Sequence, residues 1–384
     1  MWKNHYLMSL DTPLLKMEVL PSDGTVGRIL EVYNKKLLPY GLDGNRDSFV
    51  DWNKSRRIPA SRKHMKTFRY RDKIDYLLYN SMALSLSDSF WIKPVELKDT
   101  WKDVNFYDND FTDDVGECLI NGEGQILSLI SPSNTTDGVY PKKWVIIDGF
   151  RALAKVGDRD SYKYDDVSEI IASELLQILC SKSRVPYATY FRIDKMTCAS
   201  WNFVKAGQNL VNAYRYLLAQ GCDPEYSPKD ICLQIMNESI AKESIDIMLI
   251  LDYIIFNADR HFGNFGFIQD ARTGELTGAA PIYDSGCSLF AALGAGVRDD
   301  LLNKDFKSRS FAPTHDLQIR YVNVQKYKDE LELILEKVET IFYEEYLKVK
   351  LKEDYIKKLL DIVKARINKL LKVDHLTKSS VFST

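Results

Sequence analysis

Apolar residues at helical spacing predict several helices from Asp165 onwards. After Asp165 and Asp166, apolar side chains recur every three or four positions as far as Leu179, which is typical of an amphipathic helix. Residues 245–255 are almost all apolar, so we expect a helix that is buried on most sides. Further helices are predicted to begin at Ser227–Pro228 and to cover 324–342 and 353–371.

The middle of the chain has the pattern of short strands. An Asp-Gly pair, Asp148–Gly149, stands between two apolar runs and favours a tight turn, so 143–147 and 150–156 are predicted to form a hairpin. Asp270 to Gly274 is a second turn rich in breakers, and we expect a hairpin around it as well. Single strands are predicted at 125–130, 187–193 and 198–203.

The first hundred residues give weaker signals. Short apolar runs come first, and 61–80 then reads as a basic amphipathic helix with Ser61 as its cap. The cations of that stretch, Arg62 among them, are expected to form a solvated helix face, although contact with a phosphate stays open. Residues 86–92 read as a strand-like segment that is more structural than catalytic.

The order of these elements predicts the fold class. A strand-rich half with one helix is followed by a helical half, which is an α+β, bilobal arrangement. We divide the chain into an accessory subdomain at 1–116, a strand-rich lobe at 117–206 and a helical lobe at 207–384.

Composition excludes several classes of protein. The 52 basic and 54 acidic residues give a net charge of −2, so no global attraction to nucleic acid or to anionic membranes is expected. No apolar run approaches the roughly 20 residues of a membrane helix, and the amino terminus lacks the pattern of a secretory signal. The six cysteines are scattered without a C-x-x-C pair, which favours buried free thiols and a cytoplasmic protein.

The candidate chemistry lies in two neighbouring segments. Asp259 and Asn264 stand five positions apart directly after the predicted buried helix, and Asp284 follows the second hairpin within the sequence Tyr-Asp-Ser-Gly. Phosphoryl transfer uses such a trio: one carboxylate accepts the proton of the acceptor hydroxyl, while an amide oxygen and a second carboxylate hold Mg²⁺. The D-x-x-x-x-N spacing followed by a later Asp is also the protein-kinase order of parts. The alternative is structural, with all three residues capping helices and shaping turns.

The run N-x-D-R-H-x-x-N-F, followed by P-x-Y-D, resembles the signature of the HipA-like serine/threonine kinases, the HipA/CtkA-like family. The resemblance spans roughly residues 126–290. It implies a protein-kinase-like fold with an extra amino-terminal subdomain, and ATP and Mg²⁺ as cofactors. By this likeness Asp259 is the catalytic base, Asn264 and Asp284 are metal ligands, and His261 helps to hold the loop.

Upstream residues match the nucleotide site of the same family. Lys155, near the end of the hairpin's second strand, matches the nucleotide-binding lysine, and Glu169 matches the glutamate that pairs with that lysine. Glu174 is the rival of Glu169. Lys142 and Lys143 compete with Lys155, but at the entry of the hairpin they are expected to be solvated.

The polar loop 131–140 occupies the position that covers the phosphates. Ser133, Asn134, Thr135 and Gly138 are its candidate binding residues, because small side chains and glycine let backbone N–H groups approach a phosphate closely. In the family a serine of this loop can be autophosphorylated, which expels the loop; Ser131, Ser133, Thr135 and Thr136 are the candidates here. The alternative is a flexible polar loop with no regulatory role. A second basic loop, 296–313, stands where a kinase positions its substrate, and its positive charge is expected either to attract an acidic segment or a phosphate or simply to be solvated.

The leading hypothesis is therefore an ATP-dependent serine/threonine protein kinase that also phosphorylates itself. Its expected partners are a protein substrate and, by family likeness to toxin–antitoxin pairs, a small helix-turn-helix antitoxin. One alternative is a lipid or small-molecule kinase, because the loop motif is similar to that of phosphoinositide kinases as well. A second alternative is a degenerate kinase that acts as a scaffold or antitoxin-binding regulator.

Overall fold

A computed structural model gives the structure of the protein, and it describes residues 1–138, 140–157, 164–289, 301 and 304–372. The chain divides into two compact units. The first comprises Met1–Val156, Ala199–Gly221 and Phe267–Gly278, and the second comprises Gly157–Cys198, Cys222–Gly266 and Ala279–Thr384. The first unit is rich in strands and the second is mainly helical. The division at 116 and 206 stays a prediction.

The strands lie mostly in the first unit. They are β1 (Lys3–Ser9), β2 (Thr12–Leu20), β3 (Thr25–Val32), β4 (Phe90–Pro94), β5 (Lys142–Ile147), β6 (Phe150–Val156), β7 (Tyr190–Arg192), β8 (Thr197–Trp201), β9 (Gln208–Asn212), β10 (Gly266–Asp270) and β11 (Leu276–Ala279). One antiparallel sheet has the order β3-β2-β1-β4, and a three-stranded sheet has the order β11-β10-β9. A further sheet has β6 between β5 and β8.

The helices are shared between the units. They are α1 (Arg46–Lys54), α2 (Ile74–Asn80), α3 (Trp101–Val104), α4 (Asp114–Asn121), α5 (Asp165–Leu179), α6 (Ala213–Ala219), α7 (Lys229–Asn237), α8 (Lys242–Ile254), α9 (His315–Gln318), α10 (Lys328–Lys348) and α11 (Glu353–Leu371). In the second unit α10 packs against both α5 and α11. No helix of the described residues is both long enough and apolar enough to cross a membrane.

The amino-terminal sheet was not predicted. In β2, Leu15, Met17 and Val19 are buried and alternate with Lys16 and Glu18, which are the two faces of a half-buried strand. The buried side chains form one core with α1 and the start of β4. The short apolar runs of this region are therefore strands of one sheet.

The predicted helix over 61–80 is wrong in its first two thirds. Residues 59–70 form successive turns, and the helix α2 begins only at Ile74. Arg62 is 2% exposed and donates to two backbone carbonyls of the 131–138 loop, so it does not belong to a solvated face. This long-range pairing outweighs the local helical pattern.

The predicted hairpin at Asp148–Gly149 is confirmed as β5 and β6, with Ile147 opposite Phe150. Its turn places Asp148 and Gly149 at positive φ, 51° and 81°, as a tight hairpin turn requires. The hairpin around 270–274 is confirmed as β10 and β11. Residues 125–130 are not a strand; their backbone is irregular, and Asp114 accepts hydrogen bonds from the N–H groups of Leu127 and Ser128.

Most of the helices predicted from the apolar pattern are observed. The helices predicted after Asp165, at 245–255 and at 353–371 are α5, α8 and α11. Pro228 caps α7. The helix predicted at 324–342 is a 3-10 turn, Val324–Tyr327, followed by α10, which continues to Lys348. Five of the cysteines are buried free thiols, and Cys287 is partly buried.

Candidate active site

The loop after α8 presents Asp259 on a backbone fixed by buried polar groups. The Asp259 N–H donates to Asn257 Oδ1 at 3.1 Å, and Asn257 Nδ2 donates to Asp252 Oδ1 at 2.9 Å. Asn257 and Asp252 are almost fully buried, whereas the Asp259 side chain is 32% exposed. The loop therefore holds one accessible carboxylate on a rigid base.

Asn264 closes the same loop. Its N–H donates to the carbonyl oxygen of His261 at 2.9 Å, and its Nδ2 donates to the carbonyl oxygen of Asp259 at 3.1 Å. Because the amide nitrogen is engaged with Asp259, Oδ1 remains as the acceptor atom of this side chain. An oxygen acceptor beside a carboxylate is the donor set that Mg²⁺ prefers.

His261 shapes the turn between these two residues. Its Nδ1 accepts the Gly263 N–H at 3.0 Å. A Cβ on Gly263 would lie 2.8 Å from His261 Cε1, so a larger residue there would displace the imidazole ring. His261 therefore holds the loop through its ring.

Arg260 joins the loop to the segment that carries Asp284, and the sequence analysis did not identify it. The guanidinium is 1% exposed and makes a two-bond pair with Asp252, with Nε to Oδ2 at 2.9 Å and Nη2 to Oδ1 at 3.1 Å. It also donates to the carbonyl oxygens of Asn264 and Tyr283 and to Ser285 Oγ. The available signal was Asp252, the one charged residue of the apolar run 247–255, with an arginine eight residues later, since buried charges are nearly always paired.

Asp284 stands in the sequence between Tyr283 and Ser285, which both accept hydrogen bonds from Arg260. Its backbone has a φ of 58°, in the left-handed region, and its N–H donates to Tyr190 Oη at 3.4 Å. A non-glycine residue in this region often marks a functional position. Burial works against the charge of Arg260, but Asp252 first, and then Asp284 and Glu169, raise the pKa of the guanidinium above its usual value.

Glu169 lies beside the same segment. It is 1% exposed near the start of α5, and its Oε2 accepts the Ser285 N–H at 2.9 Å. Its Oε1 would be 3.2 Å from a Cβ on Gly286, so glycine permits this approach. The rival Glu174 is exposed. The second unit thus brings Asp259, His261, Asn264, Asp284 and Glu169 into one network organised by Arg260.

The remaining predicted residues belong to the first unit. The loop contains a 3-10 turn, Pro132–Thr135, in which all four residues are buried. Asp113 holds this turn: its carboxylate accepts from the hydroxyls of Ser131 and Ser133, the latter at 2.7 Å, and from the Trp144 N–H at 2.7 Å. Asn134 Nδ2 donates to the Leu129 carbonyl at 2.7 Å. Residues 131–136 are therefore packed in place, unlike the flexible loop of the alternative interpretation.

Three cations surround the end of that loop. Arg62 Nε donates to the Gly138 carbonyl at 2.9 Å, and its Nη2 donates to the Thr136 carbonyl. Burial lowers the pKa of Arg62 to about 10, although Asp137 and Asp113 oppose the shift. Within the described part of the chain, Arg62 Nη1 is buried without a hydrogen-bond partner.

Lys142 and Lys155 are the other two cations. They stand directly opposite each other on β5 and β6, and they are only 6% and 7% exposed. A Cβ on Gly138, whose φ is 96°, would lie 2.3 Å from Lys142 Nζ. The expectation that Lys142 is solvated is wrong, because its strand register turns it to the same buried face as Lys155. Lys143, on the other face, pairs with Glu117.

The second basic loop is described in part. Arg298 lies outside the described residues, as do 290–300 in general and 302–303. Arg309, within the described segment, forms an ion pair with Asp259. No cluster of three or more His, Cys, Asp or Glu side chains that could hold a metal occurs in the described ranges. A cation held by Asn264 and Asp284 would need further oxygen ligands, such as phosphates or water.

The chain matches no known protein-family model, and no curated protein sequence matches it. Its structure is similar to that of HipA from Shewanella oneidensis MR-1, solved in a toxin–antitoxin complex with HipB and operator DNA. The TM-score is 0.50 at 12% identity, covering 96% of this chain and 100% of that chain. The Helicobacter pylori proinflammatory kinase CtkA is also similar, with a TM-score of 0.45 at 16% identity, covering 60% of this chain and 90% of that chain. The likeness to HipA is one of fold: the mixed α/β class, with a strand-rich and a helical part, is confirmed.

Proposed function

We propose that this protein is an ATP-dependent serine/threonine protein kinase of the HipA-like type. The observation that carries the proposal is Arg260, a buried guanidinium that binds the Asn264 carbonyl on one side and the Tyr283 carbonyl and Ser285 hydroxyl on the other. It holds the loop of Asp259 and Asn264 against the segment of Asp284. If Asp259, Asn264 and Asp284 only capped helices and shaped turns, no buried arginine would be needed to join their two segments.

Each of the three oxygen-bearing side chains has a role in transfer. Asp259 accepts the proton of the acceptor hydroxyl while that oxygen bonds to the γ-phosphorus, the bond from phosphorus to the β–γ bridging oxygen breaks, and ADP leaves. Asn264 Oδ1 and the Asp284 carboxylate hold Mg²⁺, and their donor chemistry fits it. When bound, Mg²⁺ neutralises charge on the phosphates. His261 and Gly263 keep the turn in place, which fixes the separation of Asp259 and Asn264.

The first unit supplies the proposed nucleotide residues. Lys155 binds the phosphates, and the turn containing Ser133, Asn134 and Thr135, together with Gly138, covers them. Lys142 and Arg62 add two cations beside Gly138, and Lys142 stands directly opposite Lys155 on the hairpin, so positive charge is concentrated there. Glu169 is assigned to the lysine pair of the family, and its observed hydrogen bond to Ser285 gives it a second role in supporting Asp284.

The similar structures suggest partners. HipA was solved with its antitoxin HipB and operator DNA, and CtkA is called a kinase. We infer for this chain a protein substrate, self-phosphorylation, a small antitoxin partner, and action in the cytoplasm. Direct binding of nucleic acid is not expected of this chain itself, because its net charge is only −2.

Labelled transfer assays test the function. The protein is incubated with γ-labelled ATP, a mixture of acceptor proteins and a mixture of phosphoinositide vesicles, and the label is then located. Label in protein, with part of it mapped to 131–136, supports the proposal. Label in lipid alone would establish a lipid kinase, and the absence of Mg²⁺-dependent ATP binding would establish a scaffold.

A further inference from the structure

The segment before α9 forms a tight, anchored turn next to the catalytic loop. Lys307 and Thr314 pair as an isolated bridge, and the Ser308 N–H donates to the Pro313 carbonyl at 3.0 Å. The buried Gln318 accepts from Ser308 Oγ at 2.7 Å and from the Phe311 N–H at 3.0 Å. These bonds fix the backbone of residues 307–314.

The same turn is fastened to the loop of Asp259. Ser310 Oγ donates to the Arg260 carbonyl at 2.9 Å. The ring of Phe311 packs against Phe262 and Phe265, with centroid distances of 5.3 and 5.9 Å. Since Arg260 and Phe262 both belong to the catalytic loop, the turn and the loop form one packed structure.

Arg309 projects from this turn onto the proposed catalytic base. Its neighbours Ser308 and Ser310 are 9% and 1% exposed, so the backbone has little freedom, whereas the Arg309 side chain is 57% exposed. Its Nη1 donates to Asp259 Oδ1. The guanidinium therefore occupies an oxygen of the carboxylate that an acceptor hydroxyl must reach.

We propose that Arg309 is an autoinhibitory contact on Asp259, and that an anionic group beside the acceptor hydroxyl releases it. The inference rests on the proposed function of Asp259. A neutral acceptor has to break the ion pair without replacing it. An acceptor with a nearby carboxylate or phosphate offers the guanidinium a new partner, and the fork of an arginine binds either group with two parallel bonds. Arg309 is thus a residue that selects acceptors through another side chain, not a catalytic one.

The size of the effect follows from the exposure of the pair. Ion pairs that solvent reaches contribute little, so release of Asp259 should change rates by about two- to fivefold. Salt screens such pairs. The inhibition should therefore weaken as the salt concentration rises, which a purely structural role of Arg309 would not produce.

Two readouts on three variants test the proposal. The variants are Arg309→Gln, Arg309→Lys and, as a matched control, Lys307→Gln, which removes an exposed cation from the same turn. The first readout is ATP hydrolysis with water as the acceptor. The second is the ratio of kcat/KM for serine peptides carrying Glu at one flanking position to that for the same peptides carrying Gln.

In Arg309→Gln we expect hydrolysis to rise about two- to fivefold at low salt. The Glu-to-Gln ratio, above one in the wild type, should fall to one because the Gln peptides become faster. Lys307→Gln should match the wild type, and Arg309→Lys should lie between the two. Raising the salt should speed the wild type and leave Arg309→Gln unchanged.

Two results would overturn the proposal. One is unchanged or lower hydrolysis in folded Arg309→Gln. The other is a ratio that falls because the Glu peptides become slower, which would make Arg309 a simple acceptor-binding residue. The Asp259→Asn variant separates the two proposals. If only the role of Arg309 is wrong, turnover still depends on Asp259. Turnover that survives Asp259→Asn would contradict the proposed function itself.

Discussion

Arg260 and Asp252 form a buried ion pair with two hydrogen bonds, at 2.9 and 3.1 Å, and neither side chain is more than 1% exposed. Asp252 also accepts from Asn257, whose Oδ1 fixes the Asp259 N–H. The pair therefore links the end of α8, the loop of Asp259 and the segment of Asp284. All five N–H groups of the Arg260 guanidinium donate hydrogen bonds, as a buried charge requires.

Arg260→Met should destabilise the protein by about 3–5 kcal/mol, because it leaves the Asp252 carboxylate buried without its cation. The change is measured as the free energy of unfolding in urea. Arg28→Met is the control: its ion pair with Glu18 lies at the surface, so its loss should cost far less than the loss of Arg260. Equal costs in the two variants would show that Arg260 does not organise the site.

Arg62→Gln should weaken MgATP binding by about ten- to a hundredfold, the worth of a charge-assisted hydrogen bond. The reason is the unpaired, buried Nη1 next to Gly138, which we assign to a phosphate. Titration calorimetry measures the Kd, and the neighbouring Lys63→Gln, at an exposed position, should leave it unchanged. An unaltered Kd in folded Arg62→Gln would remove Arg62 from the nucleotide site.

Ser133→Asp should displace the 131–138 loop and lower ATP affinity at least about tenfold, whereas Ser133→Ala should stay within about threefold of the wild type. Ser133 is fully buried with its hydroxyl on Asp113, so an added carboxylate there faces a like charge. Proteolysis of the loop reports its release. If Ser133→Asp keeps the loop protected and binds ATP normally, a phosphorylation switch at this serine is wrong.

Stability should fall as the pH drops from about 6.5 to about 4. Burial, and then the charge of Arg366, lower the pKa of His315 to about 4. As the pH falls through this range, His315 binds a proton in the unfolded chain before it does so in the folded protein. The free energy of unfolding therefore drops by up to about 3 kcal/mol, and this contribution is fully present above about pH 6.5. His315→Gln, which can still donate to the Asn257 carbonyl, should remove that part of the pH dependence of the unfolding free energy. The same slope in both proteins would contradict the assignment.

Local patterns were enough for much of this structure. The apolar periodicity after Asp165 and over 353–371 gave helices with the observed bounds, and Asp148–Gly149 gave a hairpin with the observed turn. The register of this hairpin also predicts a second buried lysine. Counting back from the pair Ile147 and Phe150 puts Lys142 opposite Lys155, so the second buried lysine followed from the register.

Contacts between residues far apart in the sequence account for the parts of the structure that could not be predicted. Arg62 lies 76 residues before Gly138, and no local period reports that contact. The backbone there forms turns that carry the guanidinium to the loop instead of continuing a helix. Asp113 likewise gathers Ser131, Ser133 and Trp144 from other segments. In contrast, the alternation of the apolar Leu15, Met17 and Val19 with Lys16 and Glu18 does predict a strand, although the short apolar runs around it make the pattern hard to recognise.

The central claim is that Asp259, Asn264 and Asp284 act together on a magnesium-bound triphosphate. The most direct measurement is transfer from γ-labelled ATP, with MgATP affinity measured in parallel, for the wild type, Asp259→Asn and Asp284→Asn. We predict that Asp259→Asn keeps its affinity but loses at least about a hundredfold in transfer, as removal of a general base does. Asp284→Asn should lose the Mg²⁺-dependent part of binding. Wild-type rates of transfer in Asp259→Asn would contradict the account.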